Sequence, residues 1–170
     1  MATAPELDCN GRFKDMANSL SQVVLTEARL EAPKEDVRHG ESVHWRIDLA
    51  AGAMVDFWGV VREMEDGREI EGIDYEAHQA MAEHQMQLIA DAASEQFQLK
   101  RILFHHRIGF VRAGEASLFL RVSAQHRAAA FEASEWIVDE LKKKVPIWKR
   151  PRFKAEQQRR VSKSEVATVK

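Results

Sequence analysis

Residues 116–147 constrain the fold more than any other stretch of the chain. In ASLFLRVSA, residues 116–124, Leu118, Leu120 and Val122 alternate with Phe119, Arg121 and Ser123, the period of a strand with one buried face. Directly after it, Phe131, Ser134, Val138 and Leu141 recur at helical spacing, with Ala130, Ala133 and Ile137 on the neighbouring stripe. That pattern predicts a helix over residues 127–144. Pro146 cannot continue it, and VPIW should turn back in extended form. A strand that runs into a helix which then doubles back requires at least two packed layers.

The rest of the chain supplies partners for those layers. VVLTEARL (23–30) alternates like a strand, and the polar segment 32–42 reads as a connecting loop. AMVDFWGVVRE (53–63) is rich in β-branched and aromatic residues; EDG supplies a turn, and residues 68–78 return, which predicts a hairpin. Ala82, Met86, Ile89, Ala93 and Phe97 mark a first helix over residues 79–97. Residues 100–112 and 116–124 read as two strands joined by AGE. The order β–β–β–α–β–β–α–β describes an α+β sandwich, with two main helices packed on a largely antiparallel sheet. No internal repeat is visible. Residues 1–20 read as a loosely ordered leader, 21–153 as the single domain and 154–170 as a basic, disordered tail.

Charge separates those parts. The chain carries 25 Lys and Arg against 27 Asp and Glu, yet from residue 142 onward eleven basic side chains face only two acids, Glu156 and Glu165. A basic end on an acidic body points to an anionic ligand or partner near the C-terminus, or simply to a solubilising tail. Phe153 is the only aromatic residue among the basic ones beyond residue 150, which argues against a nucleic-acid module. No apolar run approaches the roughly 20 residues of a membrane helix. The single cysteine, Cys9, excludes an internal disulfide and fits a cytoplasmic protein.

Three constellations could carry chemistry; no phosphate-binding loop, dinucleotide fingerprint, nucleophile elbow or zinc motif accompanies them. His105 and His106 are adjacent on a strand and so point to opposite faces, which disfavours a shared metal: one should be buried and the other exposed. SAQHR, residues 123–127, places His126 and Arg127 where unpaired N–H groups begin a helix, so the pair suits either an anion site or an ordinary capped helix. LKKKVPIWKR, residues 141–150, reads either as solvated helix-end charge or as a site. Lys142 follows the apolar Leu141, so partial burial and neighbouring like charges would free its amine for proton transfer, while Pro146 could fold Lys149 back toward it.

The blocks GAMVDFWGVVRE, GREIEGIDYEAH, FHHRIGFVRAGE, SAQHR and DELKKKVPIWKR resemble, in residues and spacing over about 50–150, the MoaE family, the large catalytic subunits of molybdopterin synthase. The resemblance implies an α/β-hammerhead-type fold with small antiparallel additions. It implies a sulfurtransferase of molybdenum cofactor biosynthesis, forming a homodimer within a heterotetramer. The partner would be a small ubiquitin-like sulfur-carrier subunit (MoaD-like), whose C-terminal thiocarboxylate gives two sulfurs, in successive rounds, to cyclic pyranopterin monophosphate. No cofactor or metal is implied. By matching position, Lys142 and Lys149 correspond to the lysines implicated in catalysis, and Arg62, His126 and Arg127 to substrate-binding residues.

The match has departures. Residues 31–50 are polar where relatives carry an amphipathic helix, Trp58 fills a position usually occupied by a smaller residue, and RPRFKAEQQRR replaces the usual continuation after Lys149. Arg150 and Arg152 do not align securely and stay outside the core set. A non-catalytic paralogue that docks a ubiquitin-like partner is the competing reading; five intact site residues argue against it. Trp148 is expected to pack as an apolar support for Lys149.

Overall fold

Ten elements make up the computed structural model, which describes residues 21–32 and 50–154: β1 (Ser21–Thr26), β2 (Ala53–Val60), β3 (Met64–Glu65), β4 (Arg68–Ala77), α1 (Gln79–Gln96), β5 (Arg101–Arg107), β6 (Gly109–Arg112), β7 (Ala116–Ala124), α2 (Arg127–Lys144) and β8 (Ile147–Phe153). The expected leader, most of the 32–42 loop and the basic tail beyond Lys154 lie outside the described residues.

The class is α+β, but the strands form two sheets rather than one. The first has the order β1-β5-β7-β2, with β1 parallel to β5 and the other pairs antiparallel. Both helices cover one of its faces. Ala82, Met86, Ile89, Ala90 and Ala93 from α1, and Ala130, Ala133, Ile137 and Leu141 from α2, pack on Ile102, Phe104, Leu118, Leu120 and Val122. The alternation in β7 predicts one buried face; both are buried, because β7 is a central strand. Phe119 packs on its far side with Leu103, Trp58 and Leu30, and Arg121 makes a two-pronged 2.6 Å contact with Asp56 there.

The second sheet has the order β3-β4-β6, with β8 pairing β4 on its other edge. The expected hairpin between residues 53–63 and 68–78 does not form. Asp66 and Gly67 do adopt the positive φ values (50° and 75°) of a tight two-residue hairpin, but the turn closes only the two-residue strand β3. Upstream, β2 is committed to β7 along its whole length, and its register breaks at Gly59/Val60. The expected strand over 100–112 also divides: β5 belongs to the first sheet and β6 to the second, with the switch at Gly109 (φ 76°). Val61, Ile70, Ile73, Tyr75 and Val111 fill the small core of this second sheet, with Ile147 and Phe153 against it.

Gly72 holds β4 at the distance from β6 that this core needs. A Cβ there would lie 2.2 Å from the Val111 carbonyl oxygen and 2.7 Å from the Phe110 ring. Backbone cannot yield as a flexible side chain can, so Gly72→Ala should cost about 2–3 kcal/mol. Urea unfolding followed by circular dichroism measures this; an unchanged midpoint would mean that the strands have slack. Among the described residues no helix is long and apolar enough to cross a membrane.

Candidate active site

The alternation of β8 sorts its side chains into two classes. Trp148, Arg150 and Arg152 point to the outer face, where β4 supplies carboxylates: Arg150 pairs with Glu76 at 2.9 Å, and Arg152 grips Asp74 through two nitrogens. Lys149 points to the inner face, where its directly opposed partner on β4 is Tyr75 instead of an acid. At the end of α2, Lys143 and Lys144 both bond Glu140, at 3.3 and 2.5 Å, and Lys154 bonds Glu69 at 3.0 Å. Among the described residues from 142 to 154, Lys142 and Lys149 are therefore the two cations that no carboxylate holds. The sequence offered seven basic side chains here; the pairing leaves two.

Lys149 lies beside a buried polar cluster that sequence reasoning missed. Tyr75 and His106 are each 6% exposed, and their rings meet edge to face with centroids 5.3 Å apart. The His106 ring bonds the Arg107 carbonyl at 2.8 Å through Nδ1. A carbonyl only accepts, so Nδ1 carries the proton in this contact. Burial pushes the His106 imidazole down to about 4; its bond to Arg107 opposes the fall, and the nearby Lys149 charge adds to it. Burial likewise raises the Tyr75 phenol, the Ser117 hydroxyl bonding to it works against that rise, and the Glu65 charge reinforces it. Ser117 in turn donates to the Gly59 carbonyl at 3.3 Å. His106 was legible only as half of an HH pair; its place behind Tyr75 depends on the switch from β5 to β6. His105, on the opposite face, is half-buried against Phe119 instead of exposed. Among the described residues no three His, Cys, Asp or Glu side chains are grouped to hold a metal ion.

Two expectations about residues 141–150 need correction. Trp148 does not support Lys149: it is 60% exposed on the other face of β8, and half-buried Ile147, touching both main cores, anchors the strand. Lys142 is exposed instead of partly buried. Pro146 does bend the chain as expected, with Ile147 N bonding the Val145 carbonyl at 2.8 Å across it.

The five candidate residues divide between the two ends of the molecule. Arg62 follows β2, 80% exposed and paired with Glu65 at 3.2 Å, beside Val61 of the Tyr75 core. Helix α2 runs back over β7 and β2, so Lys142 in its last turn arrives at the Arg62 end. His126 and Arg127 begin the same helix and stay at the Ala53–Ala124 end, exposed and with no side-chain partner among the described residues. Fifteen residues of helix separate Arg127 from Lys142, about 22 Å at the usual rise. One chain thus brings Arg62 and Lys142 to the same end of the first sheet and sets Lys149 opposite Tyr75, while His126 and Arg127 begin α2 at the other end.

Comparison with known proteins gives the family. The family model described as MoaE protein matches residues 32–144, a span that includes every candidate except Lys149. A protein of Pyrococcus abyssi named molybdopterin synthase catalytic subunit is 42% identical over 116 residues, covering 68% of this chain and 78% of its own length. A rice protein of the same name is 46% identical over 103 residues; the match covers 61% of this chain and about half, 53%, of the rice protein. Among solved structures, the molybdopterin synthase of Staphylococcus aureus is 34% identical, with a TM-score of 0.61 over 64% of this chain and 79% of that one.

Proposed function

Because the chain belongs to the MoaE family, we propose that it works as the catalytic subunit of molybdopterin synthase, with Lys142 and Lys149 as its reacting amines. It would take sulfur from the C-terminal thiocarboxylate of a small ubiquitin-like carrier subunit and build the dithiolene on cyclic pyranopterin monophosphate, in the cytoplasm. The observation that carries the reading is the pair of lysines that, among the described residues, are left without carboxylates beside paired neighbours. Thiocarboxylate and cyclic phosphate are both anions, and a cation already tied to an acid has little to offer either. An unpaired ammonium can hold the attacking sulfur, stabilise charge as it builds on the pterin and return a proton to it. Arg62 approaches the same end, but its pairing with Glu65 through one nitrogen leaves it fewer donors to offer than the two lysines.

His126 and Arg127 fit the role of phosphate binders, with charge-assisted bonds at a helix start. The length of α2 keeps them from the lysines of their own chain, so in this reading they serve the site of a second copy. Strand β2, an edge of the first sheet among the described residues, spans the same two ends, and Met54, Phe57 and Val60 on it are exposed. Two such edges paired antiparallel about a two-fold axis bring the His126 end of one copy to the Arg62 end of the other. Each dimer would then bind two carrier subunits.

The test is conversion of cyclic pyranopterin monophosphate by the purified chain with a thiocarboxylated carrier. Absence of molybdopterin with a carrier proven competent would sink the assignment. In the same assay, Lys149→Ala and Arg127→Ala chains should be inactive alone. Mixed by subunit exchange, they should recover about a quarter of wild-type turnover, since half the dimers are hybrids with one intact site. No recovery in demonstrated hybrids would place the binders within one chain.

A further inference from the structure

We propose that Tyr75 and His106 are positioning residues for Lys149, an uncharged, rigid floor that carries the lysine stem and leaves its amine free for substrate. The inference rests on Lys149 being a reacting amine. It starts from a contrast along β8: the outer-face arginines meet acids of β4, whereas inner-face Lys149 meets the one tyrosine of the chain. An acid at position 75 would capture the ammonium in an ion pair; a tyrosine offers a ring for the stem and no counter-charge.

That ring has little freedom. Backbone pairing on both sides of β4 fixes Tyr75 at its Cα, with Gly109 opposite on β6 and Lys149 opposite on β8. Its hydroxyl bonds Ser117, which is itself tied to Gly59, and its ring meets that of His106 edge to face. His106 is fixed in turn by the Arg107 carbonyl. Arg107 spans three segments, donating to Glu115 at 2.8 Å, the Glu27 carbonyl at 3.3 Å and the Phe110 carbonyl at 3.4 Å. Lys149 therefore stands on side chains tied to β2, β5, β6 and β7 and to the Glu27 carbonyl just after β1, while Glu65, Arg62, Arg107 and Glu115, charged at neutral pH around the floor, are taken up in pairs with one another. A neutral His106 matters for the same reason: a second cation under Lys149 would repel its ammonium.

The experiment compares Tyr75→Phe, His106→Leu and His106→Asn with wild type in the assembled enzyme. Two quantities are read: turnover, and acylation of Lys149 by an N-hydroxysuccinimide ester, measured by peptide mass spectrometry relative to Lys143. Tyr75→Phe keeps the ring and cuts its hydroxyl anchor, so kcat should fall about tenfold with KM nearly unchanged, and the labelling ratio should shift at least threefold. His106→Leu should do the same, and His106→Asn, which keeps a donor for the Arg107 carbonyl, should recover part of both. Folded variants with wild-type kcat and labelling overturn the proposal, as does lost turnover with an unchanged labelling ratio. If His106→Leu fails to fold, Tyr75→Phe decides. Lys149→Ala separates the two layers: if it stays active, the site reading itself fails, whereas an inactive Lys149→Ala beside neutral Tyr75 and His106 variants removes only the positioning role.

Discussion

Lys149→Ala is expected to lower molybdopterin formation by about 10²–10⁴-fold, the usual contribution of a positioned acid–base group, and Lys142→Ala to do the same. Carrier affinity should change little, because among the described residues neither amine is bound to anything that holds the fold together. Lys143→Ala and Lys144→Ala supply the internal control. Their exposed ammonium groups share the one carboxylate of Glu140, so removing either leaves Glu140 paired with the other. Four lysine substitutions within eight residues should thus split into two inactive and two nearly wild-type enzymes. A graded loss across all four would mean that the segment acts only through its summed charge. Survival of activity in Lys142→Ala or Lys149→Ala would remove that residue from the site.

The sequence made the helices and the site segment legible for a physical reason. Residues 127–144 carry a clean helical stripe and end at a proline, and both boundaries match the structure. Pairing of strands was not legible, since alternation tells which residues share a face and nothing about which strand lies opposite. β2 therefore looked ready for a hairpin with β4, although its partner is β7, and residues 100–112 looked continuous although they cross between sheets. The same limit hid Tyr75 and His106, which meet Lys149 only through β4–β8 register and the β5–β6 switch. Trp148 was misjudged for a related reason. Cost of exposure argues that a tryptophan should be covered, but the face it occupies is set by Lys149, one residue on and pointing the other way.

Acid should destabilise the protein through His106 in a window defined by its two proton affinities. The unfolded chain binds a proton there near the ordinary value of 6.5, while the folded chain resists until about 4. Between those values the unfolded state holds more protons, so stability rises with pH across the window. The contribution is complete above about 6.5, is lost as pH falls toward 4, and amounts to about 3 kcal/mol. His105 is shifted in the same direction by burial, and Glu115 and Glu140, held low by Arg107 and by Lys144 with Lys143, weaken the fold only at more acidic pH. The difference between chains is therefore the informative quantity. Urea unfolding of wild type between pH 7 and 4 should lose about 3 kcal/mol more than His106→Asn, whose side chain does not titrate. Parallel curves would mean that the imidazole charges freely in the fold, and an imidazolium beside Lys149 would then deprive that amine of its uncharged support.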